Sequence, residues 1–247
     1  YFSIPANVER QGVTHLQCTP AQARMLVADD GTRESLGKLD HMMVGGEAFP
    51  VQLAEELRDL VPGRVTNMYG PTETTIWSTT HDIETVEGTV PIGRPIANTQ
   101  LHILDDKRRP VPIGVSGELY IAGDGVARGY LNRPQRTAEQ FVPNPYSGEA
   151  SARMYRTGDI ARYRSDGVIE FLGRDDFQVK IRGHRIELGE IETVLETHDS
   201  VQVAVVTVGE QGGEPVLVTY VQAVEGNEIC KQSLRRFMES KLPSFMV

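Results

Sequence analysis

The period of the hydrophobic positions changes twice along this chain, and the changes mark three stretches. In the first, strand and helix patterns alternate. Val13 to Gln17 reads as a short strand. A helix follows it, with Thr19 as N-cap and Pro20 at the first helical position, where a missing N–H costs nothing. Met42-Met43-Val44 reads as a buried strand running into Gly45-Gly46-Glu47. Val51, Ala54, Leu57 and Leu60 recur at helical spacing, so a helix is predicted over residues 50–61, ended by Gly63. Val65 to Met68 is the next strand. Alternation of this kind predicts a mostly parallel α/β sheet, whose ligand sites lie in loops leaving the carboxyl ends of the strands.

From about 90 to 172 the pattern becomes short strands, with Leu101 and Ile103 alternating, then Leu119 and Ile121. Asp166-Gly167 lies between Ala161-Arg162-Tyr163 and Val168-Ile169-Glu170-Phe171, a strong hairpin signature. A small antiparallel β-barrel or sheet is expected here. From about 177 the pattern is α+β. Gln178 to Leu188 reads as a strand pair or hairpin, and Gly189 to His198 as a short helix with Ile191, Val194 and Leu195 inward. Val201 to Val208 and Val216 to Gln222 read as strands. Glu228 to Lys241 reads as an amphipathic helix, capped by Asn227, with Ile229, Leu234, Phe237 and Met238 inward. A boundary is expected at Arg174-Asp175-Asp176-Phe177. It separates residues 1–175 (α/β sheet over 1–89, β-barrel over 90–172) from a small α+β domain over 176–247.

Composition narrows the picture mainly by exclusion. A chain of 247 residues with 39% hydrophobic and 24% charged residues can bury a proper core in one or two domains. A net charge of −9 argues against a general nucleic-acid binder, whose footprint is basic, and offers no attraction to an anionic membrane. There is no apolar run of about 18 residues, so no membrane span is expected. Two distant cysteines, Cys18 and Cys230, suit a reducing cytoplasm. The six histidines are scattered rather than set at metal-ligand spacing. The chain has no initiator Met and ends on Leu242-Pro243-Ser244-Phe245-Met246-Val247, which reads as an internal piece of something longer.

The run Asn67-Met68-Tyr69-Gly70-Pro71-Thr72-Glu73-Thr74-Thr75 carries the most chemistry. Gly-Pro makes it a tight loop. Such a loop can stack a flat base on Tyr69 and place Glu73 beside a hard cation, which takes oxygen ligands and bridges to substrate phosphates. In Tyr155-Arg156-Thr157-Gly158-Asp159 an acid follows a glycine turn, which suits hydrogen bonds to a ribose diol. A third cluster runs from Gly173-Arg174-Asp175-Asp176-Phe177 through Gln178-Val179-Lys180-Ile181-Arg182-Gly183-His184-Arg185 to Glu190-Ile191-Glu192. A turn with a capping Asp and a solvated strand face are the plain alternatives for these two.

Together and in this order, the segments resemble the adenylate-forming enzymes. Among these the chain looks like the adenylation domain of nonribosomal peptide synthetases. Gly117-Glu118-Leu119-Tyr120-Ile121-Ala122-Gly123 and Ala127-Arg128-Gly129-Tyr130-Leu131 extend the match, which covers essentially the whole chain. The resemblance implies activation of an amino-acid carboxylate by ATP to an aminoacyl-AMP and pyrophosphate. Rotation of the small domain and transfer to the phosphopantetheine thiol of a peptidyl carrier domain follow, with a condensation domain as neighbour. It implies a nucleotide site of Gly46, Glu47, Asn67, Tyr69, Gly70, Thr72, Asp159, Arg174 and Lys180. Within it Tyr69 meets adenine, Thr72 the α-phosphate and Asp159 the ribose. Glu73 holds Mg2+; Thr72, Glu73 and Lys180 form the catalytic set; Asp176 is the hinge. The family's phosphate loop and the aspartate for the substrate amine are expected upstream of Tyr1, and its catalytic lysine beyond Val247. The piece alone is therefore expected to be inactive.

By the same resemblance Gln17, Met43, Gly45, Met68, Ile76 and Trp77 line the substrate pocket. Most are large and leave little room for a side chain, which favours glycine, with alanine next. The pocket positions have a plainer reading as core residues. The sequence leaves two other functions open: an acyl- or aryl-CoA ligase of the same superfamily, and a non-catalytic nucleotide-binding relative.

Overall fold

The computed structural model describes residues 3–85, 88–175, 178–211 and 214–247. The chain forms two compact units, Tyr1–Asp175 and Asp176–Val247.

The first unit opens with α1 (Ile4–Gln11), capped by Ser3 and closed by Gly12 at φ +62°. Then come β1 (His15–Cys18), α2 (Pro20–Ala28), α3 (Asp30–Leu36), β2 (His41–Gly45), α4 (Val51–Leu60), β3 (Arg64–Tyr69), a 3-10 turn at Thr72–Thr74, β4 (Thr79–Asp82) and β5 (Arg94–Pro95). Helix α2 starts as predicted: Thr19 and Gln22 make a reciprocal capping box and Pro20 leads the first turn. The sheet runs β1-β2-β3-β4-β5. Its first three strands are parallel, and β4 and β5 add on antiparallel, so the sheet is mixed and extends past residue 89. One face carries Met42, Val44 and Val65 into a core with Leu36, Leu39, Leu53 and Leu57. Each such side chain, fully buried, is worth about 1.5–3 kcal/mol. Side chains alternate along a strand. The partners Gln17, Met43 and Thr66, and next to them Gly45 and Met68, therefore share the opposite face.

Gly63 has a different job from the predicted one. Helix α4 is capped at its end by Val61. A Cβ at Gly63 would lie 1.8 Å from the Asp40 carbonyl oxygen, so the turn into β3 needs glycine for close approach, not for a helix cap.

The second half of this unit holds β6 (Thr99–Leu104), β7 (Gly117–Gly123), α5 (Pro134–Gln140), β8 (Phe141–Pro143), β9 (Arg153–Tyr163) and β10 (Ile169–Arg174). They form an antiparallel sheet, β10-β9-β7-β6, with β8 beside β9. One buried cluster holds Ile92, Leu101, Ile103, Leu119, Ile121 and Ile169, and a second holds Leu104, Tyr120, Ala122, Val142 and Met154. The Asp166-Gly167 hairpin forms, with Gly167 at φ +80° and the Val168 amide donating to Asp166 Oδ1 at 3.0 Å.

In the second unit β11 (Gln178–Ile181) and β12 (His184–Glu187) pair across Arg182-Gly183. Helix α6 (Leu188–Glu196) follows, then the long antiparallel pair β13 (Val201–Gln211) and β14 (Glu214–Ala223), then α7 (Lys231–Glu239). Ile186, Leu188, Ile191, Leu195, Ala204, Val206 and Leu234 make its core. Helix α7 is shorter than predicted. Cys230 occupies its N-cap without a side-chain bond, whereas Asn227 donates its amide to the Asp199 carbonyl at 3.2 Å, and Ile229 is exposed. That side chain closes a loop instead of capping a helix.

Candidate functional site

Strands β2 and β3 end side by side, with Gly45 opposite Met68, so the loops carrying Gly46-Glu47 and Gly70–Trp77 leave the sheet together. The second loop folds sharply back. A Cβ at Gly70 would stand 2.5 Å from the Ile76 carbonyl oxygen and 2.7 Å from the Ser78 amide, so only glycine fits. The Ser78 amide then donates to the Tyr69 carbonyl at 2.8 Å. Buried Thr74 and Ser78 share a hydroxyl bond of 2.6 Å, and Thr75 donates its hydroxyl to the Gly125 carbonyl at 2.7 Å. These ties hold Thr75 and Ile76 at φ +62° and +75°. Positive φ on two successive β-branched residues is strained, and such backbone persists only where its surroundings impose it.

Tyr69 and Asp159, ninety positions apart, meet. The Tyr69 hydroxyl donates to Asp159 Oδ2, and Arg174, paired with Asp159 in the β9–β10 register, donates to Oδ1. Asp159 is only 6% exposed. Burial, then the neighbouring carboxylate, push the Tyr69 phenol well above its ordinary pKa, so it stays a donor at neutral pH. Its ring lies 6.4 Å from that of Phe171. An aromatic face, a carboxylate with two oxygens and a guanidinium thus share one place.

Glu73 is 8% exposed. Tyr130 donates its hydroxyl to Glu73 Oε1 at 2.6 Å, and the Ala127 amide donates to the Glu73 carbonyl at 2.8 Å. Thr72 beside it is exposed. Among the described residues there is no group of three His, Cys, Asp or Glu side chains able to hold a metal. A single carboxylate fits magnesium, which is commonly held by one or two protein oxygens with water and substrate phosphates completing the shell.

Of the predicted pocket positions, Gly45, Met68 and Trp77 come together. A Cβ at Gly45 would lie 2.3 Å from the Met68 carbonyl oxygen and 2.8 Å from two carbons of the Trp77 ring. The indole therefore lies directly against the backbone of residue 45. Gln17 and Met43 sit one row back on the same sheet face. Ile76 is 58% exposed at the tip of the strained loop.

Gly46 takes φ +94°. Glu47 accepts the Ala21 amide of α2 through Oε2 at 3.3 Å, while its buried Oε1 meets no hydrogen-bond donor among the described residues. Asn67 is 4% exposed and donates its amide to the Pro91 carbonyl at 2.7 Å, a bond that braces the sheet beneath the loop. Lys180 lies in the second unit, on the exposed side of β11 opposite Arg185. Asp176, the expected hinge, lies outside the described residues. Sequence reasoning missed the roles of Tyr130, Thr74 and Ser78. The Gly129-Tyr130-Leu131 motif was visible, but nothing in its spacing points at Glu73.

The model of the AMP-binding enzyme family matches residues 3–131. A dimodular nonribosomal peptide synthase of Bacillus subtilis is 50% identical over 97% of this chain and 10% of its own length. Malpibaldin synthetase of Mortierella alpina is 47% identical over 97% of the chain and 4% of its own. The chain thus spans a tenth or less of these relatives. Among solved structures, holo-AB3403, a four-domain nonribosomal peptide synthetase bound to AMP and glycine, matches 99% of this chain and 18% of its own, at 42% identity and a TM-score of 0.64.

Proposed function

Since the chain belongs to the AMP-binding enzyme family, in its nonribosomal peptide synthetase adenylation branch, we propose that the protein carrying it activates glycine. The reaction is attack of the glycine carboxylate on the α-phosphate of ATP, giving glycyl-AMP and pyrophosphate. The acyl group then passes to the phosphopantetheine thiol of a peptidyl carrier domain, beside a condensation domain, in the cytoplasm.

Two anions must approach one another, so catalysis is positioning and charge neutralisation. In this reading Tyr69 offers its ring to adenine. Asp159 accepts from the ribose hydroxyls, held in place by Tyr69 and Arg174. Glu47, just past the end of β2, keeps a buried carboxylate oxygen that meets no hydrogen-bond donor among the described residues. Thr72 donates to the α-phosphate. Glu73 would hold Mg2+, which supplies charge neutralisation on the phosphates. For Lys180 the family resemblance implies contact with the nucleotide or the carrier arm, and for Asp176 the hinge.

The observation that carries the choice of glycine is the Trp77 indole lying on the Gly45 backbone. An amino acid entering above Gly45 meets a ring where its side chain would go. Overpacking of that kind costs about 1–3 kcal/mol or more. The glycine bound by the 42% identical synthetase supports the same choice. Amino-acid-dependent pyrophosphate exchange by a complete adenylation domain tests it. Glycine should exceed alanine by roughly tenfold or more in kcat/KM and exceed leucine by far more. A preference for leucine, phenylalanine or a charged amino acid overturns the reading.

A further inference from the structure

We infer that Tyr130 is a positioning residue for Glu73: its hydroxyl fixes the carboxylate in the orientation that receives the metal. The inference rests on the reading of Glu73 as the magnesium ligand, and it concerns a residue that reading does not use.

Three observations carry it. First, the hydroxyl reaches Glu73 Oε1 at 2.6 Å, a short bond to a charged acceptor, across 57 positions of sequence. Second, the Tyr130 ring is locked. It packs edge-on against Phe141 at 5.4 Å, and the Arg136 guanidinium lies 5.3 Å from its centroid. Its amide donates to Thr137 Oγ1 at 2.9 Å. Gly129 beside it has φ +136°, and a Cβ there would strike Thr137 at 2.3 Å, so the chain is pressed onto α5 at this point. Third, the rest of the segment clamps the same turn. The Ala127 amide holds the Glu73 carbonyl, Gly125 accepts from Thr75, and Arg153 donates to the carbonyls of Ala127 and Arg128 at 3.1 and 3.0 Å. Segment 125–130 is therefore a rigid arm whose tyrosine hydroxyl ends on the carboxylate.

The arrangement has a chemical consequence. A carboxylate that accepts from a neutral donor keeps its negative charge for a cation. It also cannot rotate freely, so less ordering is left for the metal to impose. Tyrosine suits this better than lysine or arginine. Those would neutralise the charge the metal needs, whereas a phenol donates without doing so.

The test uses a complete adenylation domain with Mn2+ in place of Mg2+, followed by EPR in the presence of a non-hydrolysable ATP analogue. Tyr130→Phe keeps the ring and removes the hydroxyl. Its Mn2+ affinity in the ternary complex should fall about tenfold, the worth of one hydrogen bond to a charged group. Metal-free analogue binding and the melting temperature should stay near wild type. Half-saturation for Mg2+ in pyrophosphate exchange should rise, with kcat recovered at high Mg2+. A merely structural role would lower kcat and thermal stability without that recovery. Thr137→Val, which loosens the arm while keeping its shape, should shift Mn2+ affinity in the same direction by less, and it carries the test if Tyr130→Phe does not fold. Glu73→Gln separates the two readings. If Glu73→Gln abolishes Mn2+ binding and the Tyr130 and Thr137 variants bind like wild type, the positioning role is overturned. If Glu73→Gln itself binds Mn2+ normally, the metal reading falls and this inference with it.

Discussion

Thr75 and Ile76 in the first unit and Arg182 in the second all hold positive φ without being glycine, at +62°, +75° and +51°, yet the two turns are built differently. Arg182-Gly183 is a two-residue hairpin loop between Ile181 and His184, with both residues at positive φ. That is the backbone a primed hairpin turn requires, and the flanking strand ladder is reason enough for it. Thr75-Ile76 lies in the longer loop, residues 70–78, that joins the antiparallel strands β3 and β4, where no two-residue turn dictates the backbone. It is held by the Thr74–Ser78 hydroxyl bond, by Gly125 across fifty positions, and by the absence of a Cβ at Gly70. One turn is set by its two residues and the ladder beside them; the other is held by bonds within its own loop and also by Gly125, fifty positions away, and it delivers Trp77 onto Gly45. Backbone strain that the surroundings sustain is concentrated at ligand sites in proteins generally.

The largest effect should come from the carboxylate in the longer loop. Glu73→Gln in a complete domain should lower metal-dependent pyrophosphate exchange by about 10²–10³-fold, the range seen when one preorganised electrostatic contact is lost. The amide keeps the shape and can still accept from Tyr130, so thermal stability should change little. Exchange near the wild-type rate would mean the turn is braced for something other than metal.

Next in size is Trp77→Ala. It removes the ring from above Gly45 and opens space on the shared face of β2 and β3. The alanine-to-glycine ratio of kcat/KM should rise about tenfold or more, since a methyl-sized change in an apolar pocket is worth about 1–3 kcal/mol. An unchanged ratio would move the specificity contacts away from this turn. Ser78→Ala should act more weakly. Ser78 is 1% exposed, and losing its hydroxyl removes one of Thr74's bonds while the longer one to Pro71 remains. A cost of about 1 kcal/mol is expected, read as a fall of roughly 2–4 °C in melting temperature, with glycine selectivity relaxed less than in Trp77→Ala.

What could be read in the sequence divides along similar lines, between local features and long-range contacts. Helix α4, the strands around it and the Asp166-Gly167 hairpin announce themselves because period, cap and turn residues all act over a few positions. Helix α3 does not: its buried residues are Thr32, Ser35 and Leu36, so it shows no apolar stripe. Helix α5 buries nothing, and α1 buries only Val8. Asn227 looked like a cap because caps are local, but its amide is drawn to Asp199 by a loop closure that only the fold creates. At the site, the types of Tyr69, Glu73 and Asp159 were legible. That Tyr69 bonds Asp159, that Tyr130 bonds Glu73, and that Asn67 turns inward to Pro91 are contacts across 90, 57 and 24 positions, which no spacing rule contains.

The smallest effect belongs to the local turn. Arg182 is exposed, and a non-glycine residue in the left-handed region is disfavoured by about 1–2 kcal/mol, less for asparagine, whose short polar side chain tolerates it. Arg182→Asn should therefore stabilise the second unit by about 0.5–1 kcal/mol, measured by denaturant unfolding. It should leave glycine-dependent exchange unchanged, because the β11–β12 ladder and not the arginine fixes the turn. The equivalent relief in the longer loop, Ile76→Asn, should also ease backbone strain, yet it should disturb the ratio of alanine to glycine activation. If both substitutions prove equally silent in exchange, the Thr75-Ile76 backbone is merely another strained loop. If Arg182→Asn alters exchange while Ile76→Asn does not, the shape that matters to the ligand lies in the hairpin of the second unit instead.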